Sequence, residues 1–292
     1  MIKTGITGGE SAAAGELIRI LINHPDVDLR WVESHPLSGR RVEHEHKGLT
    51  GELEMVFTSH GDTGEVDLVF ACGDNEPAGD HLRVVTLHDS HLLDDNQETY
   101  VYGLPEVNRR RTVHDCYRVA CPSPVATAIA LALLPLAKNL MLADDIRADV
   151  LVSNDARPSA LTADELRLVI GRLQLSHDGS VDVHIIGTDE PRVCRAIVTL
   201  DCACDLQIIK ELFVNYYDDH NLTHVASRPV DSRDVTNTAK ALIYIERDDD
   251  RRLKITTVLD PALKGAAGAA VHNMNLLFGL HERVGLALKG NG

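Results

Sequence analysis

MIKTGITGGESAAAGELIRILINHPDVDLRWVES, Met1 to Ser34, carries the pattern that decides the fold. A short apolar run ends in a glycine-containing turn, and an amphipathic helix follows, leading to a second strand around Asp28 to Glu33; this is a βαβ opening. Glu65 to Cys72 (EVDLVFAC) and Leu82 to Leu87 (LRVVTL) are continuous apolar runs bounded by turn signals. Such runs suit strands buried on both faces of a parallel sheet. A doubly wound, Rossmann-like α/β domain is therefore expected over residues 1–122.

The next stretch, VACPSPVATAIALALLPLAKN from Val119 to Asn139, looks like a strand end feeding a long apolar helix. Pro135 lies inside that helix, Ala126 to Leu142, and predicts a kink or break there. Thr162-Ala163-Asp164-Glu165 fits a capping box before LRLVIGRLQL, with the helix running to about Gly179. Beyond it the pattern turns strand-rich: VDVHIIG, RAIVTLDC, a helix over LQIIKELFVNYY, then the hairpin ALIYIERDDDRRLKITTVL. Residues 123–261 thus form an α+β region, and 262–292 a C-terminal segment whose helix, Ala262 to Gly279, is rich in small residues. Two domains suit a chain of 292 residues.

With 44 acidic against 29 basic residues the formal charge is −15, which repels nucleic-acid phosphates and anionic membranes. No run approaches the length of a membrane span, and Met1-Ile2-Lys3 leads into a strand without a signal-peptide pattern, so a cytoplasmic protein is expected. Six scattered cysteines are expected to stay reduced. In VCRAIVTLDCAC, Cys194, Cys202 and Cys204 fall on one face at strand period and are predicted to be buried core thiols rather than metal ligands. His44-Glu45-His46 is assigned a surface or loop-packing role, because adjacent residues in a polar loop do not converge on one ion. No metal is expected.

Several stretches together are specific: GELIRILINHPDV, VYGLPEVNR, ATAIALALLPLAKN and KGAAGAAVHNMNLLFGLHERVGL. The chain resembles, over nearly its whole length apart from a shortened middle, the N-acetyl-gamma-glutamyl-phosphate reductases, relatives of aspartate-semialdehyde dehydrogenase. The resemblance implies an amino-terminal NADP domain, an α+β domain that makes dimers and tetramers, and a final helix returning to the cofactor site. It also implies reduction of an acyl phosphate through a cysteine thioester, with a histidine as acid/base.

Residue by residue, the chemical parts depart from that family. Its V-A-N-P-G-C stretch is here Val119-Ala120-Cys121-Pro122-Ser123-Pro124, so the nucleophile position holds Pro124, which can form no thioester. Cys121 is the one substitute thiol nearby. Three residues of extended chain shift a side chain by about 10 Å, whereas reacting atoms must lie within about 3–3.5 Å. The family histidine falls at Leu161 or its neighbours; His177 and His184 lie downstream, after or near the end of the helix that Thr162 opens, and are better explained as helix-end and strand residues than as its replacement. The arginine that grips a substrate carboxylate is Leu92, in Thr86-Leu87-His88-Asp89-Ser90-His91-Leu92, which removes a bidentate clamp.

The phosphate turn keeps Gly5 and Gly8, with Gly9 beside them, and has Ser11 in place of the third glycine; Glu10 adds a carboxylate close to where a pyrophosphate would lie. Glu33, ending the second strand, suits a ribose 2′-hydroxyl and opposes a 2′-phosphate, so NAD is favoured over NADP if either binds. The resemblance adds Gly265 and Asn273, in KGAAG and NMN, to the cofactor set. Two functions stay open: a catalytically disabled member that senses a ligand or partners an active paralogue, most simply as a homo-oligomer, and a working NAD(P)-dependent oxidoreductase that uses Cys121 or no thioester.

Overall fold

The computed structural model describes residues 1–73, 77, 79, 82–93, 99–114, 116–142, 145–156, 162–248 and 251–289. Its elements in chain order are β1 (Ile2–Thr7), α1 (Ala12–Leu21), β2 (Val27–Val32), α2 (Val42–Glu45), β3 (Leu68–Ala71), β4 (Arg83–Thr86), β5 (Val101–Tyr102), α3 (Pro105–His114) and β6 (Arg118–Ala120). These are followed by α4 (Pro124–Lys138), β7 (Ile146–Ser153), α5 (Thr162–Leu173), β8 (Val181–Thr188), β9 (Cys194–Asp201), α6 (Leu206–Tyr217), β10 (Thr223–Val225), β11 (Ala241–Arg247), β12 (Arg252–Leu259) and α7 (Gly268–Leu277). The chain divides into two compact units, Met1–Cys121 with Ala266–Leu286, and Pro122–Gly265 with the residues from Ala287 onward. Among the described residues, no helix is long and apolar enough to cross a membrane.

In the first unit six strands form one sheet in the order β2-β1-β3-β4-β6-β5, parallel throughout. The βαβ opening lies where its periodicity predicts, with Leu17, Ile18 and Leu21 of α1 buried. The apolar run of β3 is buried at every position, as two-sided burial requires. Pairing of Thr7 with Ala71, Ala71 with Thr86 and Thr86 with Ala120 puts the carboxyl ends of β1, β3, β4 and β6 at one edge. The glycine turn, Cys72 and Cys121 therefore leave the sheet on the same side. That edge, at the reversal of strand order beside β1, is where doubly wound sheets bind ligands.

α7 belongs to this unit and is fastened by buried polar side chains. Asn273 Nδ2 donates to Gly103 O and Ala269 O, both at 2.9 Å. His272 Nε2 lies 2.9 Å from Glu282 Oε2, and Arg109 Nη2 is 2.6 Å from the other oxygen of that carboxylate. The sequence predicts one helix from Ala262 to Gly279; instead a π-turn over Leu263–Ala267 precedes α7. The Asp260 carboxylate sets that entry, accepting from the N–H groups of Ala262 and Leu263.

The second unit holds a mixed sheet ordered β10-β11-β12-β9-β7-β8, with β11, β12, β9 and β7 antiparallel in turn and a parallel pair at each edge. α4 packs on β9 and β12, and every side chain from Val125 to Ala137 is buried. The kink predicted at Pro135 does not break this helix, which runs unbroken to Lys138. Proline lacks the N–H that would reach Leu131 O four residues earlier. Tyr217 supplies the missing donor, its hydroxyl lying 2.6 Å from Leu131 O.

Two further expectations are corrected here. α5 starts at Thr162 and ends at Leu173 rather than near Gly179, because the Gln174 amide turns aside to pair with both N–H and C=O of Leu142. The shared buried face predicted for Cys194, Cys202 and Cys204 ends with β9 at Asp201. Cys194 and Cys202 are buried, but Cys204 is exposed.

Candidate functional site

The glycine turn is built by sterics. Gly8 has φ +66°, and a Cβ there would lie 2.6 Å from Gly73 N. A Cβ on Gly9 would meet Val32 Cγ1 at 2.4 Å, and one on Gly5 would enter the Trp31 ring. Gly5 thus makes room for a neighbouring strand's indole, whereas Gly8 and Gly9 shape the turn itself. Ser11, in the third-glycine position, is the N-cap of α1: its Oγ accepts from Ala14 N at 3.2 Å. Ala12 and Ala13, in the first turn, have no intrahelical acceptor for their N–H groups.

Glu33 stands at the end of β2 with one carboxylate oxygen engaged, accepting from Gly61 N at 2.8 Å. A residue outside the predicted set completes the turn. His46 Nε2 donates to Gly9 O at 2.7 Å, and a Cβ on Gly15 would lie 2.6 Å from its Nδ1. The ring's other neighbour is Phe57, met edge-on. The sequence signal was Gly15, a small residue inside an otherwise good helix, which marks the close approach of another group.

At the head of α4, Ser123 is the N-cap, its Oγ accepting from Ala126 N, and Pro124 occupies the first helical position. Proline fits there because its missing N–H has no helical partner anyway. The Gly265 backbone packs on the ring: a Cβ at Gly265 would sit 2.7 Å from Pro124 Cβ. Gly265 is therefore found against Pro124 in the second unit, while Gly5, Gly8, Gly9, Ser11, Glu33 and Asn273 all lie in the first.

Cys121 is 3% exposed. Burial pushes its thiol up to about 12, offset in part by a 3.6 Å contact from Asn273 Nδ2. Asn273 Oδ1 is buried without a protein partner among the described residues. Burial likewise raises Cys72 and Cys194 to about 12, and raises Cys116. None of these four thiols has the lowered pKa of an activated nucleophile.

Leu92 is 2% exposed, a core side chain where a substrate-facing arginine was expected by resemblance. Leu161 lies outside the described residues. His177 follows α5, its N–H bonded to Gln174 O, and His184 projects from β8 beside Asp149 and Asp182. Both histidines stand where their helix-end and strand settings predict.

Comparisons with known proteins bear on these features together. Residues 3–114 match the family described as semialdehyde dehydrogenase, NAD-binding domain. The chain is 36% identical to the N-acetyl-gamma-glutamyl-phosphate reductase of Parabacteroides distasonis over a 320-position alignment covering 99% of each chain. It is 35% identical to that of Phocaeicola vulgatus with the same coverage. Both alignments run to 320 positions, more than the 292 residues of this chain. Among solved structures, aspartate semialdehyde dehydrogenase with NADP from Candida albicans matches with a TM-score of 0.72 at 15% identity, covering 95% of this chain and 98% of that one, which supports the fold. The chain belongs to the N-acetyl-gamma-glutamyl-phosphate reductase family.

Proposed function

We propose that this chain is a non-catalytic member of its family, one that keeps a dinucleotide-type fold and its assembly surface but has lost thioester chemistry. The observation that carries this reading is the head of α4. Pro124, packed under Gly265, replaces the nucleophile, and the nearest thiol along the chain, Cys121, is buried and held protonated. A thiolate is the nucleophile in such chemistry. The leucine at position 92 adds a second, independent loss on the substrate side.

The turn at Gly8 and Gly9 and the N–H groups of Ala12 and Ala13 suit the pyrophosphate of a nicotinamide dinucleotide. The open oxygen of Glu33 favours the ribose hydroxyl of NAD over the phosphate of NADP. The buried Asn273 Oδ1 is a waiting acceptor for a ligand N–H. A bound nicotinamide would supply hydride-transfer capacity; without a thiol at position 124 the head of α4 offers it no nucleophile on which to hold an acyl substrate. The role is then that of a ligand-sensing homo-oligomer, or of a subunit paired with an active paralogue.

A steady-state assay of purified protein tests this directly, following acyl-phosphate-dependent oxidation of NADPH and of NADH. The expected rate is background with both nucleotides, with thermal stabilisation by NAD exceeding that by NADP. Turnover that disappears in Cys121→Ser would establish the working-oxidoreductase alternative.

A further inference from the structure

His46 reaches the glycine turn from the segment after α2, 37 residues further along the chain, and takes hold of one carbonyl. The turn spans Gly8 to Ser11 and is closed by Ser11 N donating to Gly8 O at 3.1 Å, so its central peptide is the one between Gly9 and Glu10. The peptide before it is fixed by Gly9 N, which donates to Glu33 O at 2.8 Å. The central peptide is held through its carbonyl, by His46 Nε2 at 2.7 Å. In a planar trans peptide the C=O and N–H point in opposite directions. Gly9 O, drawn onto the imidazole, therefore turns Glu10 N–H away from it, and that N–H has no acceptor among the described residues.

The ring is closely seated for this contact. A Cβ on Gly15 would lie 2.6 Å from its Nδ1, so glycine on that face of α1 is what lets the imidazole reach Gly9. Phe57, 1% exposed, meets the ring edge-on with centroids 6.3 Å apart. Its Cε1 is also 3.1 Å from where a Cβ on Gly9 would stand, so one aromatic backs both partners of the hydrogen bond. We propose that His46 is a positioning residue of the dinucleotide site, holding the Gly9–Glu10 peptide in the orientation that presents its N–H to the pyrophosphate. Turning a central peptide over is the change that separates type I from type II turns. Here it would aim Gly9 O at the anion instead. With His46 opposing that change, the N–H groups of Glu10, Ala12 and Ala13 are ordered before the ligand arrives, which lowers the cost of binding. The inference rests on reading this turn as a dinucleotide site.

Calorimetric titration of the full-length protein with NAD tests it in wild type, His46→Ala, His46→Gln and His46→Phe. Glutamine carries an amide N–H at about the reach of Nε2 but no ring, whereas phenylalanine keeps a ring and has no donor. His46→Ala and His46→Phe should each weaken NAD by roughly 3–10-fold, the change that the net worth of one hydrogen bond corresponds to. His46→Gln should recover most of that loss. A purely packing role gives the reverse order, phenylalanine near wild type and glutamine weakened, and that order or unchanged affinity in His46→Phe would overturn the inference. Should His46→Phe fail to fold, the other two variants still decide, since glutamine no tighter than alanine also overturns it. No binding of NAD by the wild type would instead remove the dinucleotide reading, and the inference with it.

Discussion

Tyr217→Phe removes a single oxygen, the one whose hydrogen replaces the N–H that Pro135 lacks. In the wild type Leu131 O accepts from Tyr217 Oη at 2.6 Å, in a helix buried from Val125 to Ala137. No water reaches that carbonyl once the hydroxyl is gone, so the cost is that of a buried polar group left unmade, about 1–3 kcal/mol. Pro135→Ala restores an N–H to the helix, aimed at the same carbonyl. In that background Tyr217→Phe should cost only about 0.5–1.5 kcal/mol, the net worth of an ordinary hydrogen bond. Urea unfolding of the four proteins gives the coupling between positions 135 and 217. Equal costs of Tyr217→Phe in both backgrounds, within about 0.5 kcal/mol, would refute the idea that the tyrosine serves the proline.

His24 is buried and below its ordinary pKa chiefly through desolvation, with Nε2 donating to Asn275 Oδ1 and Nδ1 accepting from Asp26 N. The unfolded chain therefore binds the extra proton more readily, and stability should fall as pH drops below about 6.5; His24→Gln should flatten that dependence in thermal melts. Cys72, Cys121 and Cys194, raised to about 12, act in the opposite range. Their contribution is complete below about pH 9 and lost as pH rises toward 12, so alkaline melts of a Cys121→Ser variant should show a shallower decline than the wild type. Gly8→Ala forces a side chain into a left-handed position 2.6 Å from Gly73 N and should cost more than the roughly 1–2 kcal/mol of the backbone conformation alone; a chemical-denaturation series against Gly39→Ala, which also has positive φ but open space, separates the two terms. Ser123→Ala, removing the cap on Ala126 N, should lower stability by about 0.5–2 kcal/mol.

The parallel sheet was legible because its strands are buried on both faces and so are written as unbroken apolar runs, as Leu68 to Ala71 shows. The glycine turn was legible because only glycine tolerates φ +66° at position 8. What local pattern could not show were the long-range partners. Pro135 predicts a break from its own chemistry, and the donor that prevents it comes from Tyr217, 86 residues away. Gln174 ends α5 early for a similar reason, through Leu142. The alternation that placed Cys204 in the core held along β9 and stopped with the hydrogen bonding, where Arg247 takes over the backbone. At the candidate site, the residue types were readable directly and their protonation was not, since the state of Cys121 depends on burial by the surrounding fold.

The central claim is that no thiol of this protein accepts an acyl group. Intact-protein mass spectrometry after incubation with N-acetyl-gamma-glutamyl phosphate, with acid quenching and peptide mapping, tests it most directly. The predicted result is an unchanged mass with and without NAD or NADP. A gain of one acyl group mapping to Cys121, abolished in Cys121→Ser, would contradict it.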